Sequence, residues 1–222
     1  MPVPIVDEIA QLKKEVVKMW HLVRSQLLKS KTAIVDFDKG LAREIVSAEK
    51  RVNSYELSID INCENNLSLR TPVAMDLRFV LAVLKINNNL ERIGDIAESI
   101  AKYAIHADKP FSEDLLKRSK VLDMLDISLS ILEDALTAFE NEDTILARTI
   151  FYRDEYLDEI NYQATGFAKQ YLQEKPEEAD ELLYIYSMIR KIERIGDQTK
   201  NIVEEIIFYV EAKVLKHRKI KG

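Results

Sequence analysis

The fold of this chain is decided by a stretch that occurs twice, "NNNLERIGDIAESI" at residues 87–100 and "IRKIERIGDQTKNI" at residues 189–202. The five residues Glu-Arg-Ile-Gly-Asp recur unchanged at 91–95 and 193–197, an offset of 102 residues in a chain of 222. A repeat with a period near half the chain indicates two copies of one structural unit. The sequence therefore predicts an internally duplicated fold.

Apolar residues recur at alternating steps of three and four along nearly the whole chain, which is the pattern of amphipathic helices. In the first repeated stretch, Leu90, Ile93, Ala97 and Ile100 form such a stripe. The chain has only five glycines and five prolines, a composition that favours long helices over sheets. We expect an all-α protein of six long helices, arranged as two pseudo-symmetric bundles of three antiparallel helices.

Short polar stretches mark the ends of these helices. "HADKPFSED" at 106–114 contains a proline and a capping serine, Ser112, and we place the boundary between the halves there. The first three-helix domain then covers residues 1–108 and the second covers residues 109–222. "ENED" at 140–143 predicts a tight loop between helices, and Lys175-Pro176 predicts the end of one helix and the start of the next.

The composition and motifs exclude several classes of protein. The net charge of −6 argues against a general nucleic-acid-binding protein, whose affinity depends on neutralising phosphates. The N-terminal sequence does not have the pattern of a signal peptide, and no run approaches 18 apolar residues, so we expect a cytosolic protein without a membrane span. No Gly-rich phosphate loop or Glu-x-x-His motif occurs, and we expect no enzymatic activity.

We call the repeated pentapeptide Glu-Arg-Ile-Gly-Asp the repeated word. Its glycines, Gly94 and Gly196, lie in mid-helix, where glycine destabilises a helix by about 1 kcal/mol relative to alanine. We expect these glycines to allow close approach of a neighbouring helix.

Carboxylates are concentrated around the second copy of the repeated word. Glu193 and Asp197 lie one helical turn apart, with Cβ atoms about 5–6 Å from each other, so their charges repel. Asp154 and Asp158 form a similar pair on the preceding, antiparallel helix. Four convergent carboxylates need cations, or some of them must be protonated. Oxygen ligands suit hard cations, and iron and zinc also accept carboxylates.

The first half offers fewer charges at the equivalent positions. Glu91 and Asp95 belong to the repeated word, and Glu49 and Asn53 lie one turn apart on the preceding helix. Asparagine supplies a carbonyl oxygen but no charge. We therefore expect a cation to bind more weakly here than in the second half, which also has the more negative net charge.

Two long stretches resemble a known family. "SLRTPVAMDLRFVLAVLKINNNLERIGD" at 68–95 is similar to the signature of the PhoU proteins, regulators of phosphate uptake, and "ERIGDQTKNIVEEIIFYV" at 193–210 is similar to their second repeat. The resemblance covers nearly the whole chain, in both halves and in the same order. It implies a fold of two three-helix bundles, similar to spectrin repeats.

The resemblance also implies metal binding, because PhoU proteins are reported to bind iron or zinc clusters through paired acids. The ligands implied in the second half are Asp154, Asp158, Glu193 and Asp197, with Asn201 as a further ligand. Those implied in the first half are Glu49, Asn53, Glu91 and Asp95, where Asn53 departs from the usual acid.

By the same resemblance, the protein would dampen phosphate import and hold phosphate-responsive signalling off when phosphate is plentiful. The implied partners are the ATP-binding subunit of the phosphate importer and the membrane sensor kinase, and the implied state is a homodimer. The alternative is a metal-free helical adaptor, whose repeated acids bind arginines of a partner or of their own helix.

Overall fold

The computed structural model describes residues 5–69, 72 and 74–215. These residues form six long α-helices, one short α-helix and a 3-10 turn. The helices are α1 (Ile5–Val35), α2 (Lys39–Leu69), α3 (Ala74–His106), α4 (Glu113–Arg118), α5 (Val121–Asn141), α6 (Thr144–Glu174) and α7 (Ala179–Glu211), with the 3-10 turn at Pro176–Glu178. Within the described ranges, no helix is long and apolar enough to cross a membrane.

The long helices form two bundles of three, which confirms the predicted fold class. Helices α1, α2 and α3 pack together in the first half, and α5, α6 and α7 pack together in the second. The bundles meet through α3 against α7 and α1 against α5, which leaves α2 and α6 on the outer sides. The boundary set between residues 108 and 109 stays a prediction.

The loops follow from local side-chain chemistry. Asp143 caps α6 by accepting hydrogen bonds from the backbone N–H groups of Ile145 and Leu146, at 3.0 and 2.9 Å. The predicted tight loop at 140–143 is therefore confirmed. Ser112 caps α4 in the same way, but Lys120 has a φ of 57°. This left-handed residue separates α4 from α5, a break that the apolar pattern did not predict.

An aromatic cluster joins the two halves, with one ring from each of the four central helices. Phe139 of α5 lies 5.8 Å from Trp20 of α1 and 6.1 Å from Phe79 of α3, between ring centroids. Tyr209 of α7 meets Phe79 edge to face at 5.4 Å. The indole N–H of Trp20 donates to the carbonyl of Leu132 at 3.1 Å. Because such pairs add about 0.5–1.5 kcal/mol each beyond area burial, the cluster stabilises the contact between the bundles.

Candidate functional site

The glycine of each repeated word lies against a carboxylate of the preceding long helix. A Cβ built on Gly94 would lie 3.2 Å from Cγ1 of Val52 and 3.3 Å from both carboxylate oxygens of Glu49. A Cβ built on Gly196 would collide with Oδ1 of Asp154. The predicted close approach is therefore present at both glycines, and each brings an acid into the space that a side chain would fill.

The carboxylate of Glu49 on α2 is buried, and no cation of the described residues pairs with it. The side chain of Gln26 on α1 donates to Oε2 at 3.1 Å, while Oε1 has no hydrogen-bond partner among the described residues. Burial raises the pKa of Glu49 to about 7, against the opposing effect of the Gln26 hydrogen bond. Asp95, Glu98 and Glu91 of α3 raise it further by charge repulsion.

The environment of Glu91 on α3 also disfavours a charged carboxylate. Burial raises its pKa to about 7, and the neighbouring charges of Asp95 and Glu56 act in the same direction. Burial also raises the pKa of Glu56, which lies on α2. We call Glu49, Glu56, Glu91, Asp95 and Glu98 the first acidic cluster.

The equivalent carboxylate in the second half, Asp154 of α6, is only 1% exposed. The ammonium of Lys200 on α7 forms ion pairs with Oδ2 of Asp154 and, at 2.9 Å, with Oδ1 of Asp197. Burial raises the pKa of Asp154 to about 6, against the opposing effect of Lys200. Burial disfavours the ammonium, but its bonds to the two carboxylates raise the pKa of Lys200 overall. We call Asp154, Asp158, Glu193 and Asp197 the second acidic cluster.

The register of the repeat shows why the clusters differ. With the offset of 102 residues, Lys200 of the second half corresponds to Glu98 of the first. Glu98 is paired with Lys102, one turn further along α3, at 2.6 Å. Lys102 in turn corresponds to Glu204, so both charges of this pair are reversed between the halves.

The other predicted ligands are less buried than Glu49 and Asp154. Asn53, Asp95 and Asp158 are exposed. The side chain of Asn201 donates to the side-chain carbonyl of Asn89 at 3.3 Å, which links α7 to α3. In the part of the chain that the structure describes, no group of three or more His, Cys, Asp or Glu side chains is arranged to hold a metal ion.

Four residues around the two buried carboxylates were not predicted from the sequence: Gln26, Glu56, Glu98 and Lys200. Glu98 and Lys200 could have been found by extending the alignment of the two copies three residues past Asp95 and Asp197. Gln26 had no such signal, since its contact with Glu49 joins two different helices.

The fold and the duplicated acidic clusters define a two-repeat, all-helical protein. Comparison with known proteins also finds two repeats. The PhoU domain model matches residues 16–104 and 121–206. The chain is 33% identical over 213 residues to the phosphate-specific transport system accessory protein PhoU of Edwardsiella tarda, covering 95% of this chain and 86% of that protein. Its identity to the Escherichia coli K12 protein of the same description is 32%, with the same coverage.

Solved structures agree with the sequence comparison. The crystal structure of PhoU from Pseudomonas aeruginosa superposes with a TM-score of 0.86 at 28% identity, covering 95% of this chain and all of that one. The phosphate transport system regulatory protein PhoU from Streptococcus pneumoniae gives a TM-score of 0.83 at 26% identity, covering 95% of this chain and 99% of that one. The chain belongs to the PhoU family, whose members are accessory regulators of phosphate transport and not enzymes.

Proposed function

We propose that this chain dampens phosphate uptake when phosphate is plentiful, acting in the cytoplasm as a homodimer. It contacts the ATP-binding subunit of the high-affinity phosphate importer, and it holds the phosphate-responsive two-component system off through the membrane sensor kinase. The match of both repeats to the PhoU domain, at residues 16–104 and 121–206, carries this proposal. The relatives' descriptions as accessory proteins of phosphate-specific transport support it.

Deletion of the gene that encodes this chain tests the proposed function. In phosphate-replete medium, the deletion should raise uptake of labelled phosphate and switch on a phosphate-starvation reporter. Affinity capture of the full chain from the same medium, followed by mass spectrometry, should recover the ATP-binding subunit and the sensor kinase. Unchanged uptake and reporter activity, with recovery of neither protein where both are expressed, would overturn the proposal.

We further propose that the first acidic cluster binds an iron or zinc ion. Glu49, Glu91 and Asp95 would be the ligands, with the side-chain carbonyl of Asn53, and their side chains would have to rearrange, since the described residues are not arranged around an ion. Carboxylates and carbonyls are donors that these cations accept. The buried Oε1 of Glu49 has no hydrogen-bond partner in the described residues, which supports a ligand there. The ion would supply positive charge that links α2 to α3.

In this proposal the second acidic cluster binds a metal more weakly than the first. A cation that reaches Asp154 and Asp197 must displace the ammonium of Lys200. Lys200 thus already neutralises part of the negative charge of this cluster. A metal bound there would have as ligands Asp154, Asp158, Glu193, Asp197 and Asn201. The sequence predicted the opposite order of metal affinities, because that prediction was based on the number of acids and did not include Lys200.

The metal-free adaptor is the second candidate for the role of the acids, and the ion pairs of Lys200 favour it for the second half. Elemental analysis separates the two candidates in protein purified without chelators and then incubated with zinc or ferrous ion. Glu49→Gln with Glu91→Gln should remove the bound metal, whereas Asp154→Asn with Asp197→Asn should leave most of it. Wild-type protein without metal after this incubation would establish the adaptor.

A further inference from the structure

Helix α6 has an exposed face that neither proposal above uses. Tyr152, Tyr156 and Tyr162 are 52%, 42% and 84% exposed. Glu155 and Glu159 lie among them and are exposed as well. Steps of three and four residues place all five side chains on one side of the helix, over a length of about 15 Å. We call these five residues the tyrosine face.

The three rings have no aromatic or cationic partner within the described ranges. Tyr171 of the same helix behaves differently, since it is buried and the guanidinium of Arg118 lies 4.9 Å from its ring centroid. The tyrosine face therefore contributes neither to the core nor to the cation–π contacts that the fold itself makes.

The fold does not require tyrosines and acids at the positions of the tyrosine face. The two buried carboxylates, Glu49 and Asp154, set the register between α2 and α6 at 105 residues. The positions on α2 that correspond to the tyrosine face carry Ser47, Lys50, Arg51, Ser54 and Leu57, all of them exposed. The same architecture thus tolerates a basic face without aromatics, so the tyrosines and acids of α6 need another reason.

We propose that the tyrosine face is a docking surface for an arginine-bearing segment of a partner protein. Tyrosine and arginine are, with tryptophan, the residues most enriched at the energetic centres of protein interfaces. A guanidinium stacks on a tyrosine ring and binds a carboxylate with two hydrogen bonds, which an ammonium does not do. Alternation of rings with Glu155 and Glu159 offers both interactions to each arginine.

The surroundings favour a cationic partner over a neutral one. Residues 111–222 have a net charge of −7, which steers positively charged segments towards this half. Glu155 has no ion pair among the described residues. Beside the face, a cavity of about 550 Å³ between α6 and α7 is lined by Tyr152, Glu155, Asp197 and Lys200, which pairs with Asp197. It offers room for one side chain of the partner next to Tyr152 and Glu155.

Synthetic peptides test the proposal with the full chain. The probe is a fluorescein-labelled, alanine-based helical peptide with three arginines on one side, and matched peptides carry lysine or neutral citrulline instead. The arginine peptide should bind tighter than the lysine peptide, and the citrulline peptide should not bind. Tyr152→Ser, Tyr156→Ser and Tyr162→Ser together should weaken arginine binding at least about tenfold and remove the preference over lysine.

The control variant, Leu57→Ser with Ile61→Ser, alters exposed residues of α2 and should bind like wild type. NMR of protein with labelled tyrosine rings locates the contact, since the peptide should shift the signals of Tyr152, Tyr156 and Tyr162. Equal affinity for arginine and lysine peptides, or unchanged affinity in the triple variant, would overturn the proposal. Shifts of these signals with protein concentration alone would also overturn it, because the surface would then bind a second copy.

Discussion

The two halves of the molecule bury a carboxylate against the same glycine but neutralise it in different ways. In the second half, the ammonium of Lys200 bridges Asp154 and Asp197. In the first half, Glu98 stands at the position of Lys200, and among the described residues the groups that act on the charge of Glu49 are further acids and one amide. Duplication thus preserved the shape of the site while its charge balance diverged. One half supplies its own cation, whereas the described residues of the other place none beside Glu49.

The largest effect should come from removing the cation of the second half. Lys200→Met leaves Asp154 buried beside Asp197 without a counter-ion, and we expect the free energy of unfolding to fall by about 3 kcal/mol. Urea denaturation at pH 7.5 measures it, and adding Asp154→Asn should restore part of the loss. As a control, Lys169→Met on the exposed side of α6 should change stability by less than about 0.5 kcal/mol. A similarly small change in Lys200→Met would show that the ion pairs contribute little.

A smaller effect should come from filling the space at the two glycines. A Cβ at Gly196 collides with Asp154, whereas a Cβ at Gly94 comes no closer than 3.2 Å to Val52. Gly196→Ala should therefore lower the free energy of unfolding by about 2 kcal/mol. Gly94→Ala should be near neutral, because the helix propensity of alanine, about 1 kcal/mol better, offsets mild crowding. Equal effects in the two variants, measured by thermal and urea unfolding, would contradict the difference in packing.

The pH dependence of stability should separate the clusters in protein stripped of metal. Above its ordinary pKa of 4.5, the carboxyl of Glu49 is ionised in the unfolded chain but protonated in the folded protein up to about pH 7. The folded state binds more protons in this window, so the free energy of unfolding falls as the pH rises through it.

For Asp154, the pH range in which the folded state binds more protons than the unfolded state ends near pH 6. Between pH 6 and 7, the wild type should therefore lose about 1 kcal/mol of stability through Glu49. Glu91, whose pKa is also about 7, should add to this loss. Glu49→Gln should remove the part of the loss that comes from Glu49, and Asp154→Asn should keep both parts. Denaturant titrations at the two pH values provide the measurement, and a loss that disappears in Asp154→Asn instead would reverse the assignment.

The smallest effect should come from giving the first half the charges of the second. Glu98→Lys with Lys102→Glu copies the arrangement of Lys200 and Glu204 and places an ammonium near Glu49. Stability at pH 7 should rise by about 0.5 kcal/mol, and the fall between pH 6 and 7 should diminish. Zinc affinity measured by calorimetry should fall as well. Stability and zinc affinity that both match the wild type would show that the residue at position 98 does not set the charge balance.

The sequence predicted the architecture because it depends on signals that repeat. The recurring word located the duplication, and the three-and-four spacing of apolar residues gave all six long helices. The cost of glycine in mid-helix predicted close packing at Gly94 and Gly196, which the structure confirms. The break at Lys120 had no signal, since neither glycine nor asparagine marks its left-handed conformation.

The site was predicted less completely because its electrostatics depend on which side chains reach each other. The acids Asp154 and Asp197 were identified from spacing, but a count of acids cannot show that the long side chain of Lys200 extends to both. The burial of Glu49 and its bond to Gln26 depend on packing among three helices. Spacing along one helix therefore gave candidate ligands, while the charge balance required the fold.

The aromatic cluster between the bundles also provides a built-in optical probe. Trp20 is the only tryptophan in the chain, and it is fully buried beside Phe139 of the other half. Its fluorescence emission therefore reports whether the halves remain in contact, separately from the helix content that circular dichroism measures. If the two curves coincide during denaturation, the duplicated halves unfold as one cooperative unit. A red shift of the emission that precedes the loss of helicity would mean that the bundles separate first.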